Sequence, residues 1–123
     1  MLRGIRGATT VLENDRQEII KKVVELLQII SAENNLRTEE IGAVIFSSTP
    51  DLNAAFPAAG AREIGWTEVP LFGAQEIECP GAPQKCVRAL ILWNTDCPQK
   101  EVKHIFLHGA AVLRQDIIAK QKS

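Results

Sequence analysis

Arg88 is the side chain of this sequence that ordinary packing explains least well. It lies between Cys86-Val87 and the apolar run Ala89–Trp93, a composition typical of a buried strand. Moving an unpaired guanidinium out of water is costly, so a cation in such a run needs a carboxylate or phosphate partner. The sequence therefore predicts an anion beside Arg88, supplied either by the protein or by a ligand.

Three further arginines repeat this situation. Arg6, Arg62 and Arg114 each follow a short stretch of small and apolar residues, which leaves room for a ligand. Arginine presents a planar fork that matches carboxylates, so several of them on apolar segments indicate a pocket for a small polyanion. The alternative at each position is an ion pair with one of the 15 acidic residues of the chain.

The composition is that of a soluble domain with no global electrostatic target. The chain has 123 residues, of which 46% are hydrophobic and 24% charged, and its formal net charge is −1. This size favours one domain, and the near-neutral charge argues against nucleic-acid binding. No apolar run reaches the roughly 18 residues of a membrane span, and the N-terminus lacks a signal-like segment, so we expect a cytoplasmic protein.

Several familiar chemistries lack their usual residue patterns. Cys79, Cys86 and Cys97 match neither a zinc-binding nor a disulfide spacing, so we expect reduced thiols. His104 and His108 lie in or beside a predicted strand, which would separate them, so we expect no metal site. The sequence also contains no nucleophile motif and no GxGxxG loop.

The hydrophobic pattern predicts an α+β domain with a five-stranded mixed sheet, one long helix and short helices. Asn14 is the predicted cap of the long helix, which ends near Asn34, and Pro57–Ile64 is predicted as a short helix. The domain is expected to span residues 1–116, followed by a polar tail at 117–123. The predicted strands are Leu2–Val11, Ala43–Ser48, Glu68–Phe72 with a continuation to Ile77, Val87–Trp93, and Val102–Leu107.

A single long helix can cover only one face of a five-stranded sheet. The other face needs a different cover, and an oligomer that packs its sheets together provides one. Clefts between the protomers would then be natural ligand sites.

Short segments spread over residues 2 to about 116 form a recognisable pattern. They are Arg3–Thr10, Thr49–Ala58, Ala61–Glu63, Val69–Leu71, Gln75-Glu76, Lys85–Arg88, Thr95–Pro98 and Val112–Arg114. In this order and at these spacings they resemble the trimeric chorismate mutases of bacteria. The resemblance implies a homotrimer with a barrel-like core and active sites between adjacent subunits.

The implied activity is the rearrangement of chorismate to prephenate, on the route to phenylalanine and tyrosine. This pericyclic reaction needs no cofactor, nucleophile or proton transfer, in agreement with the missing catalytic motifs. Its ether oxygen gains negative charge in the transition state, so a fixed guanidinium is a suitable catalyst.

The resemblance also assigns roles to individual residues. Arg88 matches the arginine that donates to the ether oxygen, Glu76 the acid that accepts the ring hydroxyl, and Arg6 the arginine that holds a carboxylate. Arg62 and Arg114 match outer arginines at the mouth of the cleft. The positions that would line the pocket and bind substrate are Phe56, Ala58, Leu71, Phe72, Gly73, Phe106 and Leu113.

Two positions depart from the family pattern, and two questions remain open from the sequence. Phe106 replaces a frequent tyrosine, so one hydroxyl contact to the substrate is lost, and Gly73 replaces a cysteine or similar residue. The residue pattern by itself leaves Glu76 equally compatible with a surface acid. A non-catalytic trimeric binder of an aromatic-pathway carboxylate is the alternative function, although the presence of both Arg88 and Glu76 argues against it.

Overall fold

The computed structural model describes residues 1–113, so the predicted tail at 117–123 and the position of Arg114 lie outside the described residues. The predicted α+β fold with a five-stranded mixed sheet, one long helix and short helices is confirmed. The strands are β1 (Leu2–Thr10), β2 (Ile41–Ser48), β3 (Leu71–Gln75), β4 (Cys86–Asn94) and β5 (Ile105–Phe106). The α-helices are α1 (Arg16–Asn34) and α2 (Ala58–Glu63), with 3₁₀ turns at Thr38–Glu40, Gln99–Glu101 and His108–Ala110.

The sheet has the strand order β3-β2-β4-β1-β5. The central strand β4 is antiparallel to both of its neighbours, whereas the outer pairs β1–β5 and β2–β3 are parallel. The register places Ala8 and Ser47 on either side of Arg88. Arg88 is therefore held in the middle of the sheet by a paired strand on each side.

Helix α1 covers one face of the sheet. Its apolar residues recur with the helical period, and those that are buried are Ile19, Val23, Leu26, Leu27 and Ile30. A Cβ at Gly7 of β1 would lie 2.7 Å from Ile30 Cδ1, so only glycine lets the helix approach the strand this closely. The same packing gives β1 and β4 an alternating pattern in which every second side chain points away from the helix.

The opposite face of the sheet is open in the isolated chain and carries large apolar side chains. Exposed fractions are 65% for Phe72, 38% for Ile45 and 36% for Leu90. The register makes Ile45 a neighbour of both Phe72 and Leu90, so the three form a continuous patch over β3, β2 and β4. We call these three residues the open-face patch. A patch of this kind on a monomer surface indicates a contact with another protein surface.

The predicted fifth strand, Val102–Leu107, is wrong in length. Only Ile105–Phe106 pairs with β1, opposite Gly7 and Ala8. Before that point, side chains replace the backbone ladder: Gln99 bonds to the peptide groups of Gly4, and His104 accepts from the Arg6 N–H. The hydrophobic pattern could not show whether backbone groups or side chains would complete the hydrogen bonds at this edge of β1.

Two other boundaries differ from the prediction. Asp15, and not Asn14, caps α1, because its Oδ2 accepts from the Glu18 N–H at 3.1 Å. Asn14 instead holds the loop before α2, since its Oδ1 accepts from the N–H groups of Asn53 and Ala54. The third strand is Leu71–Gln75, later than predicted. Within residues 1–113, no helix combines the length and apolar composition needed to cross a membrane.

Candidate active site

Arg88 lies on the open face because its neighbours on β4 lie on the helix face. Val87 and Ala89 are buried under α1, so strand alternation directs the intervening side chain to the other side. About a third of the Arg88 side chain is exposed. The predicted cation in an apolar strand is thus an arginine on a fixed backbone with its head group at the surface of the sheet.

Glu76 is the anion beside Arg88. Its Oε1 lies 3.6 Å from Arg88 Nε, and its Oε2 accepts a hydrogen bond from the Ser47 hydroxyl. The Glu76 N–H also donates to Ser48 O at 2.9 Å, which holds the residue directly after β3. The carboxylate is therefore oriented by two side chains, one on β2 and one on β4, while β2 also holds the Glu76 backbone. The ion pair is formed by Nε of Arg88.

A cavity of about 280 Å³ lies on the open face between β1, β2 and β4. Arg6 and Arg88 supply its two cations, and Ser47 brings the hydroxyl that binds Glu76. Phe106 and Leu113 supply apolar walls, so four of the predicted site residues share one cavity. The lining of this cavity combines two positive charges with an apolar surface, which suits a small anion with an apolar ring.

Arg6 reaches this cavity from β1 and is oriented by an aromatic ring. Its guanidinium carbon lies 5.6 Å from the centroid of the Phe106 ring, within the range of a cation–π contact. Phe106 is buried and pairs with Ala8 in the register of β1 and β5. Phe106 thus supports the neighbouring arginine.

Apart from Glu76, the other predicted site residues within residues 1–113 form a second group, around α2 and β3 and apart from this cavity. Phe56 and Gly73 line a separate cavity of about 600 Å³, and Arg62 and Leu71 line one of about 210 Å³. Phe56 is 79% exposed. Ala58 begins α2, and Phe72 belongs to the open-face patch.

The electrostatics of the first cavity do not favour nucleophilic chemistry. Burial raises the pKa of the Cys86 thiol, and the nearby Arg88 only partly opposes this effect. The thiol therefore stays protonated at neutral pH. Across residues 1–113, no group of three or more His, Cys, Asp or Glu side chains could hold a metal ion.

Sequence reasoning missed three residues that the structure places at these sites. Ser47 could have been found from strand alternation, because β2 is next to β4 and a hydroxyl near Arg88 is then expected. His104, which bonds to the Arg6 peptide, left no sequence signal because 98 positions separate the two residues. Arg16, the charged residue in the lining of the 600 Å³ cavity, resembled an ordinary solvent-exposed helix residue.

Comparison with known proteins assigns the chain to a family. Residues 2–117 match the family model described as chorismate mutase type I. Chorismate mutase AroH of Bacillus subtilis (strain 168) is 42% identical over 118 residues, which cover 95% of this chain and 93% of the relative. Chorismate mutase AroH of Thermus thermophilus is 46% identical over 122 residues, covering 98% of this chain and all of the relative.

A solved structure shows the same relationship in three dimensions. A chorismate mutase from Clostridium thermocellum superposes with a TM-score of 0.87 at 44% sequence identity, covering 89% of this chain and 97% of that one. The matches in sequence and structure extend over nearly the full length of the chain. The chain belongs to the type I chorismate mutase family.

Proposed function

We propose that this protein converts chorismate to prephenate by electrostatic stabilisation and conformer selection, in clefts between the subunits of a homotrimer. The observation that carries the proposal is the arrangement of Arg88, Glu76 and Arg6. An arginine fixed in the centre of a sheet contacts an oriented carboxylate at 3.6 Å and shares a cavity with a second arginine.

Arg88 stabilises the ether oxygen of the substrate as its bond to carbon breaks. Negative charge on this oxygen is larger in the transition state than in bound chorismate, so a guanidinium donor binds the transition state more tightly. The two ladders that hold β4 support this role, because a donor that is already in place needs no rearrangement during the reaction.

Glu76 acts on the ring of the substrate, on the other side of the breaking bond from the ether oxygen. Its carboxylate accepts the ring hydroxyl of chorismate and faces the positive charge that develops on the ring. Without a ligand, the same carboxylate compensates the charge of Arg88, and Ser47 fixes its orientation. This explains how two charged side chains remain only partly exposed on an apolar strand surface.

Arg6 binds a substrate carboxylate and thereby orients the substrate. The apolar walls, Phe106 and Leu113 among them, compress the flexible enolpyruvyl arm toward the reactive conformer. Arg62 and Arg114 act at the mouth of the cleft. Phe56, Ala58, Leu71, Phe72 and Gly73 form the wall that the adjacent subunit supplies.

The open-face patch supports the trimer. Phe72, Ile45 and Leu90 give the open face a contiguous apolar area next to the cavity of Arg6 and Arg88. Covering this area with neighbouring sheets would bury the patch and place a second chain at the mouth of the cavity. A native mass three times the 13.5 kDa of one chain would support this assembly, and a monomer at micromolar concentration would contradict it.

The test of the activity is direct. Purified protein is incubated with chorismate, and the loss of chorismate absorbance and the appearance of prephenate are followed together. Stoichiometric conversion above the uncatalysed rate supports the proposal. Binding of chorismate without acceleration would contradict it and would favour the non-catalytic binder.

A further inference from the structure

Near Arg6, the edge of β1 that faces away from β4 is hydrogen-bonded to side chains and not to a neighbouring strand within residues 1–113. The Gln99 side-chain amide accepts from the Gly4 N–H at 2.9 Å and donates to the Gly4 carbonyl at 2.8 Å. Two residues further along β1, His104 Nδ1 accepts from the Arg6 N–H at 2.9 Å. The backbone ladder to β5 begins only at Gly7.

The bond to Arg6 requires one particular state of the His104 ring. A backbone N–H can only donate, so Nδ1 must be unprotonated and the ring proton must be on Nε2. Protonation of the ring would turn Nδ1 into a second donor, and the Arg6 peptide would lose its partner.

The surroundings of His104 keep the ring in that state at neutral pH. Burial and, to a smaller extent, the positive charge of Arg6 lower the pKa of His104 below its usual range. The neighbouring Lys103 on the same segment is directed to Glu33 of α1, with Nζ 3.9 Å from its carboxylate. Within residues 1–113, Arg6 is the charged group that acts on the ring.

We propose that His104 is a positioning residue for Arg6, which it holds in place through the Nδ1 bond to the Arg6 peptide. The inference rests on the proposed function, in which Arg6 binds a substrate carboxylate beside Arg88. The Arg6 guanidinium must stay over Phe106 and in the shared cavity to do so. A free peptide at this point of a strand edge would let the side chain move out of reach.

The first experiment compares His104→Leu with His104→Asn. The asparagine Oδ1 can stand close to the position of Nδ1 and accept the same N–H, whereas leucine cannot accept a hydrogen bond. At pH 8 we expect His104→Leu to raise KM about 3- to 10-fold, with a smaller change in kcat, and His104→Asn to stay near wild type. An unchanged KM in His104→Leu would overturn the proposal.

The pH dependence of kcat/KM distinguishes a positioning role of His104 from a purely structural one. Protonation increases as the pH falls, and the lowered pKa places the loss of the bond below about pH 6.5. We expect kcat/KM of the wild type to fall from there toward pH 5 and that of His104→Asn to lack this fall. The matched control is His108→Asn, because His108 is exposed, pairs with Glu25 at 2.7 Å and should leave the fall unchanged.

Amide hydrogen exchange tests the bond without using activity. At pH 7.5, the Arg6 N–H should be protected in the wild type and in His104→Asn and should exchange faster in His104→Leu, while core amides of β4 stay protected. Equal protection of Arg6 in all three proteins would overturn the proposal. Absence of chorismate turnover in the wild type, with the exchange difference intact, would instead refute the proposed function and leave the bond itself established.

Discussion

The two groups of predicted site residues differ in how much of their geometry one chain provides. Arg6, Arg88 and Glu76 are on or next to paired strands, and their contacts are formed within the chain. The second group lies on the short helix α2, its preceding loop and the edge strand β3, where Phe56 is 79% exposed. The first group is ordered by contacts within the chain, whereas the second is largely an exposed surface.

In the proposed function, the first group supplies the charge stabilisation and the second group confines the substrate. Charge stabilisation needs donors that do not reorganise, and paired strands supply them. Confinement needs walls on the remaining sides of the substrate. An exposed aromatic residue such as Phe56 can provide such a wall to the cleft of an adjacent subunit. Variants at Arg88 and Ser47 test the first group, and hybrid trimers test whether the two groups meet across a subunit boundary.

Replacing Arg88 with alanine should have the largest effect. Loss of a preorganised donor to a developing oxyanion costs roughly 10²- to 10³-fold in kcat, and more when the donor is charged. Lysine should rescue only part of the rate, because it lacks the planar fork. Circular dichroism should show an intact fold.

Arg37→Ala is the matched control for this change, since Arg37 is exposed and pairs with Glu39 outside the cavity. It should keep wild-type kinetics. Retention of more than about a tenth of the activity in Arg88→Ala would refute the electrostatic role, because the expected loss is larger.

Mixing Arg62→Ala with Arg88→Ala tests whether the two groups meet across a subunit boundary. Each variant should be impaired alone. After joint unfolding and refolding at equal amounts, about a quarter of the interfaces should pair an intact Arg88 with an intact Arg62 from the next subunit, and activity should recover to about that fraction of wild type.

Each variant refolded alone is the control and should gain nothing. If native mass spectrometry shows hybrid trimers while the mixture is no more active than the mean of its parents, both arginines serve the same cleft from one chain. That result would remove the contrast between the two groups.

Ser47→Ala should have a moderate effect, which acts through the first group. The hydroxyl orients Glu76, and loss of one hydrogen bond to a charged group weakens that orientation by about 1.5–3 kcal/mol at most, so we expect kcat to fall about 3- to 30-fold. Ser31→Ala, which removes a hydroxyl bonded to Leu27 O inside α1, should leave kcat unchanged. Equal kinetics for both variants would show that Ser47 does not orient the carboxylate.

Phe106→Tyr should have the smallest effect and should act on affinity. The added hydroxyl would supply the substrate contact that the family resemblance implies for this position, so KM should decrease about 2- to 10-fold, with kcat nearly constant. Isothermal titration with prephenate would report the same gain as tighter binding. A decrease in kcat with unchanged KM would indicate that the ring had moved from beneath Arg6.

Local structure, which depends on residues close together in the sequence, was predictable, whereas contacts between segments that only the strand order brings together were not. The apolar run around Arg88 and the helical period from Ile19 to Ile30 predicted a strand and a helix correctly, because both depend on burial of apolar side chains. The need for an anion beside Arg88 followed from the cost of an unpaired buried charge, and Glu76 meets that need.

The identity of the partners depended on strand order, which the hydrophobic pattern does not encode. Ser47 meets Glu76 because β2 lies between β3 and β4. His104 and Gln99 bond to β1 across nearly a hundred positions through their side chains, and His104 does so within the segment that was predicted as a strand. An apolar run shows that a segment is buried, but it does not show which groups complete its hydrogen bonds.

The Gln99 amide also makes the two margins of the sheet unequal as templates for strand addition. At the margin formed by β1 and β5, β5 covers only Gly7 and Ala8 of β1. The N–H and the carbonyl of Gly4 are already bonded to the Gln99 side chain, so an incoming strand would have to displace it. At β3, no strand of residues 1–113 pairs on the side away from β2. Aggregation by edge-to-edge pairing should therefore start at β3, and charged substitutions on that strand should suppress it more than substitutions near β5.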